Sequence, residues 1–186
     1  LAYRQAVPKA FAYGWFGLVW FDPSLQGGSL EKMALHAFFP DLGFACFRDG
    51  WTADSAAMAF KCGPYGGIRL NEYRNARQGQ YINVAHDDPD ANSFMIYANG
   101  RMLAKSDGYS RKKTTASHNT ILVDGAGQLG EGGKWIQPLA NTDMLEMARI
   151  VSRVEDAGGA AIVEGEAGGA YKGLERYRRA VAWIPG

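Results

Sequence analysis

From Phe38 onward the chain breaks into short apolar or alternating runs separated by Gly, Pro, Asn and Asp, and this punctuation limits the fold more than any other feature. Leu42 to Arg48, Ala56 to Cys62, Tyr81 to Ala85, Phe94 to Ala98, Arg101 to Ala104 and Thr120 to Val123 are short enough for strands and too short for independent helices. Their succession predicts a mainly β fold, an antiparallel β-sandwich. Asn99-Gly100 tolerates the positive φ angles of a two-residue hairpin loop, which would pair Ser93 to Tyr97 with Met102 to Lys105. In the last third, Leu145 to Val154, Ala160 to Glu164 and Leu174 to Trp183 repeat the pattern, with turns expected at Gly158-Gly159 and Gly165 to Gly169. The 24 glycines are then accounted for by turns. None of the glycine clusters follows a strand and opens a helix, so a phosphate loop has no support.

Residues 1 to about 20 differ: their aromatic and aliphatic residues recur at three- and four-residue spacing, which predicts a buried helix ending before Asp22-Pro23. It is the one helix the pattern predicts. Gln26-Gly27-Gly28-Ser29 reads as a linker, dividing a helical segment at 1–28 from a sandwich at 29–186. A start at Leu1 and an end just after the strand-like run Ala180 to Trp183 suggest a piece of a longer polypeptide, truncated at its C-terminus. With 47% hydrophobic and 12% aromatic residues in 186, the chain can bury a sizeable core. Its net charge of +1 offers no general attraction to nucleic acid or to an anionic membrane. No apolar run reaches the roughly 20 residues of a membrane span. Cys46 and Cys62 each fall in a strand-like run and read either as buried thiols or as a disulfide between neighbouring strands.

Three histidines limit the candidates for acid–base or metal chemistry. His36, among Met33, Leu35 and Phe38, reads as a satisfied core residue. His86 leads into Asp87-Asp88-Pro89-Asp90, a turn whose carboxylates would favour a protonated ring and suit it to an anionic ligand. The plainer reading is a turn cap with solvated aspartates. His118 stands before Asn119-Thr120; if it meets Asp88 and Asp107, a His and two carboxylates would suit zinc or a harder cation such as calcium, against a metal-free His-Asp hydrogen bond. Lys105, Arg111, Lys112 and Lys113 make the densest basic segment. It reads as a solvated loop or as a cradle for the carboxylates of an acidic ligand, with Tyr109 and Trp135 as aromatic platforms on which a ligand ring could stack. Gly63-Pro64-Tyr65-Gly66-Gly67 carries no charge and reads as a plain loop.

Taken in order, Phe39-Pro40-Asp41-Leu42-Gly43-Phe44 with Arg48, His86 through Phe94, Asp107-Gly108-Tyr109, and His118-Asn119-Thr120 through Asp124-Gly125 resemble the heparinase II/III-like polysaccharide lyases over roughly residues 38–135. Asp88-Pro89-Asp90-Ala91-Asn92 and Gly127-Gln128 followed by Gly130-Glu131-Gly132 bring the likeness nearest to the oligoalginate lyases. The resemblance implies an α/α-toroid, ending in the helix at 1–20, packed against this sandwich with the acidic polysaccharide between them. It also implies β-elimination from 4-linked uronates, of alginate or of heparin and heparan sulfate, in a periplasmic or secreted enzyme. His86 takes the family's active-site histidine position, and Asp88, Asp107 and His118 take its metal ligands. Asp88 stands where several relatives have His, a departure that weakens zinc in particular. The family's catalytic tyrosine and its toroid His or Asn partner belong to a domain before residue 1, so the piece alone should have little lyase activity. A noncatalytic carbohydrate-binding sandwich using Tyr109, Lys112 and Trp135 is the rival reading. A cupin-like metal enzyme lacks its paired-histidine motif.

Overall fold

A computed structural model describes residues 24, 28–77, 84, 86–106, 111–136, 139 and 142–185. The helix expected at 1–20, most of the strand expected at Tyr81 to Ala85, and the candidates Asp107 and Tyr109 lie outside the described residues.

Two antiparallel meanders face each other. Strands β1 (His36–Phe39), β2 (Phe44–Arg48), β3 (Ala57–Lys61), β4 (Ser93–Ala98) and β5 (Arg101–Ala104) form a five-stranded sheet in sequence order. Strands β6 (Arg149–Glu155), β7 (Ala161–Glu166) and β8 (Arg178–Trp183) form a three-stranded one. Because side chains alternate along a strand, the register sorts the faces. Ala45 lies opposite Phe60 and Phe60 opposite Phe94, so these point inward together. Ala45, Phe47 and Phe60 are buried against Ala161 and Val163 of the smaller sheet. Phe47 and Trp183 stack across the interface at 6.4 Å with 17° between their planes. Each such ring removed from water stabilises the sandwich by about 1.5–3 kcal/mol.

The expected hairpin is present: β4 pairs with β5 through Asn99 and Gly100, at φ 50° and 74°. His36 is satisfied by Glu155 of β6, which ties an edge of the larger sheet to the smaller one. Both cysteines are free thiols, which closes the disulfide alternative. Just past β3, Cys62 donates from Sγ to the carbonyls of Arg149 at 3.3 Å and Glu166 at 3.4 Å. Burial pushes its thiol up to about 12.

Four local expectations are corrected. A helix, α1 (Ile68–Asn75), follows the glycine turn, where sequence periodicity predicts none. It has no apolar stripe; only Asn71 is buried, donating from Nδ2 to Tyr65 O and Gly67 O at 2.7 Å. The Arg69 N–H reaches Asp41 Oδ1 at 2.7 Å, so contacts with the rest of the chain hold this helix. The turn before it is no plain surface loop: Gly63, Pro64, Tyr65 and Gly67 are buried. Thr120 to Val123 does not form a strand, and only the bridge from Val123 to Ala126 remains. Asn119 and Thr120 instead spend their side chains on carbonyls of the neighbouring backbone, an alternative to ladder pairing. Gly165 sits inside β7 rather than in a turn, because the strand passes too close to Asn92 and Cys62 for a side chain.

Candidate functional site

Two long connections carry the chemistry. One runs from α1 to β4 and holds His86 through Asn92; the other runs from β5 to β6 and holds Lys113, His118, Gln128 and Trp135. The first turns tightly, with Asp87 N bonded to Val84 O at 3.0 Å and Ser93 N to Asp90 O at 3.1 Å. It leaves through Asn92 at φ 57°, a left-handed conformation that Asn tolerates better than most residues. The Asn92 side chain is fully buried and donates to Tyr177 O at 2.9 Å and Gly165 O at 3.3 Å, anchoring the turn to the smaller sheet. Arg179 of β8 then donates to the carbonyls of both Asn92 and Asn119, joining the two connections.

Buried Gln128 clamps them a second time. Its Oε1 accepts from Ala91 N at 3.1 Å, and its Nε2 donates to Ala91 O at 2.9 Å and to the Tyr171 hydroxyl at 3.1 Å. Thr120 Oγ1 donates to the same Ala91 carbonyl at 2.9 Å. The turn after His86 is therefore held by side chains of β8 and of the second connection.

The three aspartates beside His86 have partners of their own, which corrects the picture of solvated carboxylates around the ring. Asp87 accepts from Gly66 N–H, Asp88 Oδ1 lies 2.9 Å from Lys113 Nζ, and Asp90 pairs with Lys61. Burial raises the Asp87 carboxyl above the usual carboxylate range, against the opposing pull of Gly66 N–H and Lys61. Burial works against charge on Lys61, but Asp90 outweighs it, with help from Asp87 and Asp88, and the ammonium is held above the usual lysine value.

Lys113, expected in a solvated basic run or a substrate cradle, is instead buried at 0% exposure. Its Nζ also donates to His86 O at 3.2 Å. Its backbone is fixed on both sides, by Lys113 N to Gly133 O at 2.8 Å and Gly132 N to Lys113 O at 2.7 Å. Glu131 braces the same strip, accepting from Thr115 N at 2.7 Å and Gly127 N at 3.1 Å.

His118 and Asp88 do come together, with Nε2 3.9 Å from Oδ1. That distance exceeds a hydrogen bond, and His118 Nδ1 is buried with no hydrogen-bond partner among the described residues. Both line a shallow pocket of about 170 Å³ with Lys61, Asp90, Phe44 and Met95, on the face of the larger sheet turned away from the core. His86 is exposed, its ring 4.8 Å from that of half-buried Trp135 at 56°. Lys134 lies over the same indole at 4.8 Å. Trp135 is on a loop, as expected, and Lys112 is exposed.

A divalent ion fits poorly beside Asp88, where an ammonium already stands. Among the described residues Asp88 and His118 are the donors near enough to share one, and Asp107, the third ligand expected, lies outside them. A cation on Asp88 Oδ1 would also face the Lys113 ammonium that already holds this atom at 2.9 Å. The contact is an ion pair rather than an aligned hydrogen bond, since Oδ1 has no hydrogen-bond partner of good geometry.

Sequence reading missed the parts of the site that face inward. Gln128 stands within the motif that carried the family resemblance, yet spacing gives no sign of its clamp on Ala91. Lys113 is hidden by its basic neighbours, because composition does not show which lysine of a cluster turns in.

Residues 32–183 match the family model described as Heparinase II/III-like, C-terminal. Among solved structures, heparan sulfate lyase HepC from Pedobacter heparinus is similar with a TM-score of 0.55 and 19% identity, over 98% of this chain and 24% of that one. A heparinase III with methylated lysines gives 0.56 and 18%, over 98% and 24%. A further heparinase III structure gives 0.54 and 17%, over 86% and 22%. At such identity the likeness is one of fold, and the chain spans about a quarter of the length of the structures it matches.

Proposed function

This chain belongs to the heparinase II/III-like family as a C-terminal domain of that kind, and on that premise we propose that it supplies the sandwich side of a polysaccharide lyase site for 4-linked uronic-acid glycans. The observation that carries this reading is the contrast around His86. An exposed imidazole beside an indole rises from a turn whose next residues are locked by Gln128, Asn92 and Lys113. Such a turn holds a reacting group in place without reorganisation when substrate arrives.

In β-elimination a base takes the uronate C5 proton, and its electron pair forms the C4–C5 double bond. The C4–O bond breaks, and an acid protonates the departing oxygen. The C5 proton becomes acidic enough only when the carboxylate charge is met. His86 would bind or neutralise that carboxylate or move a proton, with Trp135 and Tyr109 as platforms under the sugar and Lys112 as a cation at the rim. The remaining acid–base groups would come from a toroid domain of the same polypeptide, and a periplasmic or secreted setting goes with polymeric acidic sugars. Alginate oligomers and heparan sulfate are the two substrate types to separate.

The test is the full-length protein, assayed on both polymers for unsaturated uronate absorbance, beside His86→Ala. We expect product from one polymer and a loss of about 10²-fold or more in kcat/KM for the variant. Undiminished activity in His86→Ala would remove the catalytic assignment. Binding of polymer with no unsaturated product would favour a noncatalytic carbohydrate-binding domain.

A further inference from the structure

We infer that the cation of the Asp88 and His118 centre is the ammonium of Lys113, and that this chain dispenses with a divalent metal ion there. Lys113 Nζ lies 2.9 Å from Asp88 Oδ1 and 3.2 Å from His86 O, on a side chain with no exposure. The same Oδ1 is the atom that approaches His118 Nε2 at 3.9 Å. One carboxylate oxygen thus sits between a fixed ammonium and an imidazole.

The ammonium is built in rather than incidental. The backbone of Lys113 is bonded to Gly132 and Gly133 on the two sides, and Glu131 fixes the residues that follow. Placing a lysine head out of water is unfavourable unless a carboxylate meets it, and Asp88 does. By holding the His86 carbonyl as well, Lys113 acts as a positioning residue for the turn on which the imidazole stands. A dication at the same carboxylate would meet a fixed positive charge.

The inference concerns charge and metal content, so its test does not depend on lyase activity. The full-length protein is incubated with excess zinc or calcium chloride, desalted, and analysed for metal; melting is followed with chelator and with each ion. The expected result is far less than one equivalent of either metal and no shift of Tm. A stoichiometric metal whose removal lowers Tm would overturn the inference. A second arm uses Lys113→Met, Asp88→Asn and the double variant. Lys113→Met should melt well below the parent, and adding Asp88→Asn should restore much of the loss, because removing both charges leaves neither unpaired. A double variant whose loss in Tm is the sum of the two single losses would show no coupling and would also overturn it. Lys113→Arg, which keeps the charge, should retain more stability than Lys113→Met; the reverse order would count against a role as cation. Should Lys113→Met fail to fold, the metal analysis of the parent and the Asp88→Asn and Lys113→Arg melts still decide.

Discussion

Gln128 shows how much of the His86 turn depends on one neutral side chain. It answers both the N–H and the carbonyl of Ala91, but only the carbonyl has another donor, Thr120 Oγ1. Gln128→Ala should therefore strand one buried N–H and destabilise the domain by about 1–3 kcal/mol. Chemical denaturation reads this directly, and an unchanged midpoint would mean that water replaces the clamp. Gly165 makes a complementary case. A Cβ there would stand 2.1 Å from Asn92 Oδ1 and 2.7 Å from Cys62 Cβ, on the inner side of β7. Gly165→Ala should cost about 1–3 kcal/mol by overpacking and should displace Asn92 from its bond to Gly165 O.

The link between β7 and β8 carries the clearest pH dependence. Glu166 accepts from Tyr177 N at 2.8 Å, Gly168 N at 2.9 Å and Arg178 Nε at 3.0 Å. Burial alone would raise its carboxyl, but these donors and the Arg178 charge prevail and hold it below the usual glutamate value. A carboxylate favoured in the folded state contributes stability that is complete above the unfolded value and is lost as pH falls through the folded one. Stability should thus begin to decline below about pH 4.3, the ordinary glutamate value. Glu166→Gln should flatten this part of a pH series of melting curves; a parallel decline in both proteins would assign the loss to other groups, such as Glu155 beside His36. At this scale the sequence was legible wherever alternation met a turn residue, as at Asn99-Gly100, because period and turn chemistry agree there. It was silent for α1, whose Ile68 to Asn75 run has no apolar face to reveal it. It misled at Thr120 to Val123, where a short apolar run between turn residues suggested a strand and side-chain anchoring won. Of the candidate site, His86, Asp88 and His118 could be found from residue type and order. The inward turn of Lys113 could not, since burial of one cation in a basic run depends on a carboxylate from a connection some 25 residues earlier in the chain.

Across the whole molecule, polar ties between the two sheets include His36, on β1, to Glu155 and, past the end of β3 and before β4, those of Cys62 and of Asn92 with Arg179. Between them lies the apolar layer of Phe47, Phe60, Val163 and Trp183. The buried thiol of Cys62 turns this layer into a clock for its own opening. Its sulfur is sealed between Arg149 O and Glu166 O, and at about 12 it carries almost no thiolate near neutrality. An alkylating reagent can reach it only in molecules whose sheets have parted, whereas half-buried Cys46 lies on the opposite face. In a Cys46→Ser background, the alkylation rate of Cys62 should stay low in native buffer and rise in step with denaturant. A fast rate without denaturant would mean that the sandwich breathes at this end of β3 while the rest of the domain stays folded.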